Sequence, residues 1–283
     1  VPYFRAIARP EAFLGISMES HVPGRHLNAL LNSEDAAGVV ISEECVDQHA
    51  RAAFLSYSGP LPLPLGRVDM KGSPVKFSPH DVREGFHALY ALAKYRDSAR
   101  ARDLAEASIS TIFEYWDPNS EWDYGRLERQ HGLTIQKPRT FIVGLARSIG
   151  PLFKYYRATG HGPALELAII LKEKALGEYF AADGLYQNER FGTHVHSTTS
   201  VMSSLAQLAD LTGDSPLMDR VKGFYDNGLW EIRDELGWSI ETSAPDSGGP
   251  DEGEMNNTGD ILETALVLGR WGYTEYYHDA ERI

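Results

Sequence analysis

Four times this sequence ends an apolar helical run, breaks it, and starts a second helix. The copies begin at Leu92, Tyr155, Leu208 and Leu268, with start-to-start spacings of 63, 53 and 60 residues. An acid stands twelfth in each copy, at Asp103, Glu166, Asp219 and Asp279. The breaks at Gly160, at Gly213 with Asp214, and at Gly272 suit a helix C-cap followed by a new N-cap. A period this long, with two helices in each unit, specifies stacked helical hairpins.

The connections say which kind of stack. Turns inside the hairpins are short, whereas those between hairpins, roughly 116–137, 181–192 and 230–256, are long, polar and aromatic. That asymmetry predicts an all-α fold, an (α/α) toroid or barrel of helical hairpins. Inner helices would line a bowl, outer helices would wrap it, and the long loops would form one rim. The inner helices are expected to start near Pro79, Pro138, Thr193 and Asn256. Runs rich in small residues, Phe141–Gly150 and Val201–Ala206, fit helices that approach closely at a crowded centre.

Residues 1–77 read as an N-terminal segment and residues 78–283 as the hairpin toroid. In the first part, Pro23 and Gly24 argue for broken structure with a short helix ending at Asn32. Ser42 caps a helix running to about Ser56. Pro60, Pro62 and Pro64 then make residues 57–78 a long loop. Four hairpins and one helix are few for a closed ring, and the last outer helix has barely begun at Ile283. The expectation is that the native chain continues past Ile283, or that a second copy covers the open edge.

Composition narrows the functions. A net charge of −13 argues against nucleic acid as a partner. No apolar run reaches the roughly 18 residues of a membrane span, and the N-terminus has no signal-peptide core, so a soluble, cytoplasmic protein is expected. A single cysteine, Cys45, excludes an internal disulfide. No Gly-rich phosphate loop, nucleophile elbow or zinc-type cysteine pair is present, and no cofactor is expected.

Four polar clusters fall at predicted inner-helix starts or on the long loops, and all four are expected to converge at one end of the bowl. The first, Lys76–Gly85, carries His80. The second carries Trp122 and Tyr124, followed by Arg139. The third is Asn188–His196, and the fourth is Asp251–Asp260. Glycoside cleavage needs two carboxylates flanking the scissile bond. Glu254 and Glu241 are the candidates, while Asp251 and Glu252 read as helix-capping acids. His194 and His196 would bind hydroxyls or move protons. With Glu189 or Glu254 they could also make a three-ligand metal set, but the preferred reading has no metal. His80, Arg139, Asn256 and Asn257 would hold hydroxyls or a carboxylate, and Trp122, Tyr124 and Trp238 would stack on sugar rings.

Three segments carry a family resemblance: Gly192–Ser200, Leu208–Asp214, and Glu254–Ala265 through Tyr277–Ile283. Over about residues 78–283 the chain resembles six-hairpin glycosidases, nearest to the bacterial β-L-arabinofuranosidase family. The resemblance implies a toroid that acts on carbohydrate. That family uses a cysteine nucleophile held by zinc, just before an inner helix bearing asparagine. Here the comparable stretch reads Glu254-Met255-Asn256-Asn257, without cysteine, so that mechanism is not implied. The expected function is a glycoside hydrolase working with a carboxylate pair on an oligosaccharide. Two alternatives remain: a lyase of uronate polymers with a Tyr or His base, and a non-catalytic glycan- or protein-binding module.

Overall fold

The computed structural model describes residues 18–69, 71–244 and 253–283. Its contacts divide it into two compact units, one ending at Gln136 and the other starting at Lys137.

The first unit is built around α1 (Met18–Ala37), α2 (Glu43–Ser56), α3 (Val82–Arg96) and α4 (Ala99–Tyr115). Ser42 caps α2 as its sequence implies, its hydroxyl accepting from the Cys45 amide. The short helix ending at Asn32 is corrected: α1 runs for 20 residues straight through Pro23. Packing outweighs the local break, because Leu27 and Leu31 are fully buried. At Gly24 the backbone of α1 lies against α3 so closely that a Cβ would meet the Glu84 carbonyl at 1.8 Å.

The loop expected over 57–78 is also corrected. It holds β1 (Leu65–Arg67) and β2 (Pro74–Phe77), paired antiparallel, and β2 pairs parallel with β5 (Thr134–Ile135). Pro60, Pro62 and Pro64 lie before β1, and Pro74 opens β2, where a missing amide costs least. Between α4 and β5 stand β3 (Trp116–Asp117), β4 (Glu121–Trp122) and α5 (Tyr124–His131).

The second unit holds α6 (Ile149–Thr159), α7 (Gly162–Glu178), the single turn α8 (Asn188–Phe191), α9 (Val195–Thr212), α10 (Ser215–Asn227), α11 (Met255–Trp271) and α12 (Tyr276–Arg282). Three repeat copies become the hairpins α6/α7, α9/α10 and α11/α12. Gly160 and Gly213 are left-handed C-caps, and the Asp214 carboxylate accepts from the Leu217 amide at 3.0 Å. α9 and α11 start at the positions their sequences suggest, but α6 begins about a dozen residues past Pro138, after a 3-10 turn at Leu145–Ser148. α9 is buried on nearly all sides, packing on α6, α10 and α11. Phe180, Phe191 and Phe224 pack edge-to-face or tilted on one another at ring distances of 4.8–5.4 Å.

Candidate functional site

Three extended pieces of the second unit are sewn together at the starts of α9 and α11. The segment 239–243 lies between the lead-in to α9 and the lead-in to α11. On one side His194 bridges Thr242, the Val195 amide donates to the Glu241 carbonyl at 3.2 Å, and the Ser243 amide donates to the Thr193 carbonyl at 2.9 Å. On the other side Ile240 bridges Gly253, and the Glu254 amide donates to the Ser239 carbonyl at 3.2 Å. Asn257 fastens the same seam: fully buried, it donates to the Ile240 carbonyl at 2.7 Å. The third and fourth polar clusters are thus brought together. Asp251 and Glu252 lie outside the described residues.

The turn into α9 depends on Gly192, whose φ of 81° and ψ of 170° fall in a region essentially closed to other residues. From there the histidines diverge. His194 is the N-cap residue of α9, and His196 lies in its first turn, 2 % exposed. The His194 Nδ1 shares a 2.7 Å hydrogen bond with Ser197 Oγ. The His196 ring is held between two carboxylates: Nδ1 is 3.7 Å from Glu254 Oε1 and Nε2 is 3.5 Å from Asp260 Oδ2. The two imidazole centroids are 5.9 Å apart.

Glu254 is the N-cap residue of α11, yet its side chain makes no capping bond. One oxygen, Oε1, accepts from the Asn256 side-chain amide, and the other, Oε2, is buried with no hydrogen-bond partner among the described residues. One ligand atom each from His194, His196 and Glu254 lies within 4.8 Å of the other two. Glu189, the other acid considered for such a set, is not part of this group.

Glu241 is exposed, and its backbone joins the α9 lead-in. Arg139, also exposed, reaches Thr193 Oγ1 at 3.5 Å. Trp238 is 39 % exposed and lies directly on Gly253, where a Cβ would meet the indole at 2.1 Å. Beside the seam opens a cleft of about 250 Å³ lined by Tyr186, Asn188, Glu231, Ile240, Thr242 and Ser243.

His80, Trp122 and Tyr124 belong to the first unit. Trp122 is buried there, edge-on to Phe77 at 4.9 Å, which makes it a core ring in this unit. Burial pushes the Tyr124 phenol up to about 12, so it stays protonated and can donate at neutral pH. His80 stacks parallel on His21 at 5.5 Å, beside a buried Asp81. Burial raises the Asp81 carboxyl, while contacts from His21 and Ser20 act the other way.

Asp260 received little weight from sequence, yet it faces both His196 and Thr199, whose hydroxyl donates to it at 2.9 Å. A signal was present. His196, Thr199, Ser203 and Asp210 recur at helical spacing on α9, opposite Asp260, Glu263 and Arg270 on α11.

No family model and no curated protein matches the sequence. Solved structures do match. A D-mannose isomerase superposes over 94% of this chain and 73% of its own, with a TM-score of 0.68 and 12% identity. The unsaturated glucuronyl hydrolase of Bacillus sp. GL1, which degrades glycosaminoglycan, superposes over 97% of this chain and 75% of its own, with a TM-score of 0.64 and 11% identity. A β-arabinofuranosidase superposes over 97% of this chain but 45% of its own, with a TM-score of 0.59 and 14% identity. At such identities the likeness concerns fold and leaves the reaction open. These neighbours are carbohydrate-active enzymes, and the chain shares their fold, the helical-hairpin (α/α) toroid of the six-hairpin glycosidase-like proteins.

Proposed function

We propose that this chain is a carbohydrate-active hydrolase whose reaction centre lies at the joined starts of α9 and α11. The observation that carries the reading is the constellation itself. Two helices deliver two imidazoles and a carboxylate with a buried oxygen that has no partner among the described residues to one place, and the bridging segment carries a second, exposed carboxylate, Glu241, whose backbone joins the α9 lead-in. Buried polar groups are ordinarily satisfied, so the Glu254 oxygen marks a position built to receive something. Glu254 and Glu241 are the two carboxylates of the reaction. His194, Asn256 and Arg139 hold substrate hydroxyls, and Trp238 offers a ring face for a sugar. Asp260 positions His196.

An aryl-glycoside panel tests this. Turnover of at least one member is expected, with Glu254→Gln and Glu241→Gln each lowering kcat/KM by about 10²- to 10⁴-fold. A Glu254→Gln enzyme with undiminished turnover would remove Glu254 from the mechanism. The anomer released first, read by NMR, distinguishes retention from inversion.

A second reading, interconversion of free sugars, is favoured by the imidazole pair 5.9 Å apart, since proton removal beside a carbonyl suits neutral histidine. It predicts incorporation of solvent deuterium at C2 of a free aldose, abolished by His196→Ala.

A further inference from the structure

We infer that His194, His196 and Glu254 form a binding site for a divalent transition metal of the zinc class, with one coordination position left open. The inference deepens the proposed reaction centre and rests on the same residues, but not on any sugar activity. The donor set is the first argument. Two imidazoles and one carboxylate are the kind of set that holds catalytic zinc with a position left for water or substrate. Nitrogen and carboxylate donors also favour such a metal over magnesium or calcium.

Geometry is the second argument. Tetrahedral ligands about 2.0–2.1 Å from a metal stand roughly 3.3 Å apart. His196 Nδ1 and Glu254 Oε1 are 3.7 Å apart, and all three donors lie within 4.8 Å of one another. Small side-chain rotations bring them onto one ion.

The third argument is the shell behind the ligands. A metal-bound histidine usually gives its other ring nitrogen to a carboxylate or similar acceptor, which fixes the tautomer. His196 has Asp260 at 3.5 Å from Nε2 while Nδ1 faces Glu254. His194 has Ser197 at 2.7 Å from Nδ1, which assigns ligation to Nε2. Glu254 Oε1, the oxygen nearest His196, also accepts from the Asn256 side-chain amide, while Oε2 is buried without a hydrogen-bond partner among the described residues. Each ligand is thus oriented by its own neighbour. Two helix N-termini disfavour a cation here, and the carboxylates of Glu254 and Asp260 supply the offsetting charge. With metal bound, Glu254 is a ligand, and proton transfer falls to Glu241.

The test uses the whole chain, stripped with a chelator and titrated with Zn²⁺ by calorimetry, with Co²⁺ as a spectroscopic probe. The expected result is one equivalent per chain, a visible band of tetrahedral or five-coordinate cobalt, and a rise in Tm on metal addition. His196→Ala and Glu254→Gln should abolish the band, and Asp260→Asn should weaken binding about 10- to 100-fold. Circular dichroism of each metal-free variant reports its folding. Should a variant not fold, the wild-type cobalt spectrum and Tm shift still decide. Absence of both in the wild type overturns the inference, as does stoichiometric binding that survives in folded His196→Ala and Glu254→Gln proteins. Glycoside turnover by metal-free protein that takes up no metal would sink the metal site and leave the sugar reading standing. Stoichiometric metal with no turnover on any sugar would do the reverse.

Discussion

A single side chain shows how position outranks pattern. The acid that stands twelfth in every repeat copy is exposed at Asp103, Glu166 and Asp219, and only Asp279 is buried. There it meets Arg233, whose side chain is 1 % exposed, at 2.9 Å, and accepts from the Tyr225 hydroxyl. Burial acts to raise the Asp279 carboxyl, but the Tyr225 and Arg233 hydrogen bonds outweigh it and hold the group below its ordinary range. A depressed folded-state value means stability that is complete above the unfolded value and lost as pH falls. Wild-type protein should therefore lose stability below about pH 4, and Asp279→Asn should blunt that dependence. The variant should also cost about 3 kcal/mol at neutral pH by stranding Arg233, measurable by urea unfolding at two pH values. Gly192→Ala belongs to the same scale. It forces an alanine into φ 81° and sets its Cβ 3.0 Å from Val143. A loss of about 1–3 kcal/mol is expected, with weakened activity because His194 follows two residues on.

Helices and their joints account for what was legible beforehand. Glycine and aspartate at 213–214 mark the α9/α10 joint because a left-handed cap and a side-chain acceptor are local requirements that these two residue types meet well. Asp214→Ala should lower stability by about 1 kcal/mol, read from the shift in denaturation midpoint. The starts of α9 and α11 also fall close to Thr193 and Asn256, although neither N-cap residue, His194 or Glu254, makes a side-chain capping bond. What lay beyond the sequence was tertiary. Nothing local announces that Pro23 sits inside α1, since the decision is made by the burial of Leu27 and Leu31 in a helix that packs on α3 and α2. The strands at 65–67 and 74–77 are too short to show alternation among prolines. Trp122 looked like a loop aromatic and is a core ring, because its partner Phe77 lies 45 positions away in sequence. Asp260 became part of the site only once α9 and α11 were seen to face each other.

For the whole molecule, hairpins dominate, and a far-ultraviolet spectrum with the paired minima of α-helix is expected; one dominated by β structure would contradict the fold. No helix among the described residues is long and apolar enough to cross a membrane. The contact of Trp238 with Gly253 has a practical consequence. The indole rests on the backbone immediately before Glu254, with 39 % of its surface open to solvent. Anything that seats on Glu254 and shifts that backbone must change the polarity and quenching around this ring. Trp238 is therefore an intrinsic optical reporter of site occupancy. Its emission should move when metal or sugar binds, and the signal should disappear in Trp238→Phe while metal binding measured by calorimetry persists.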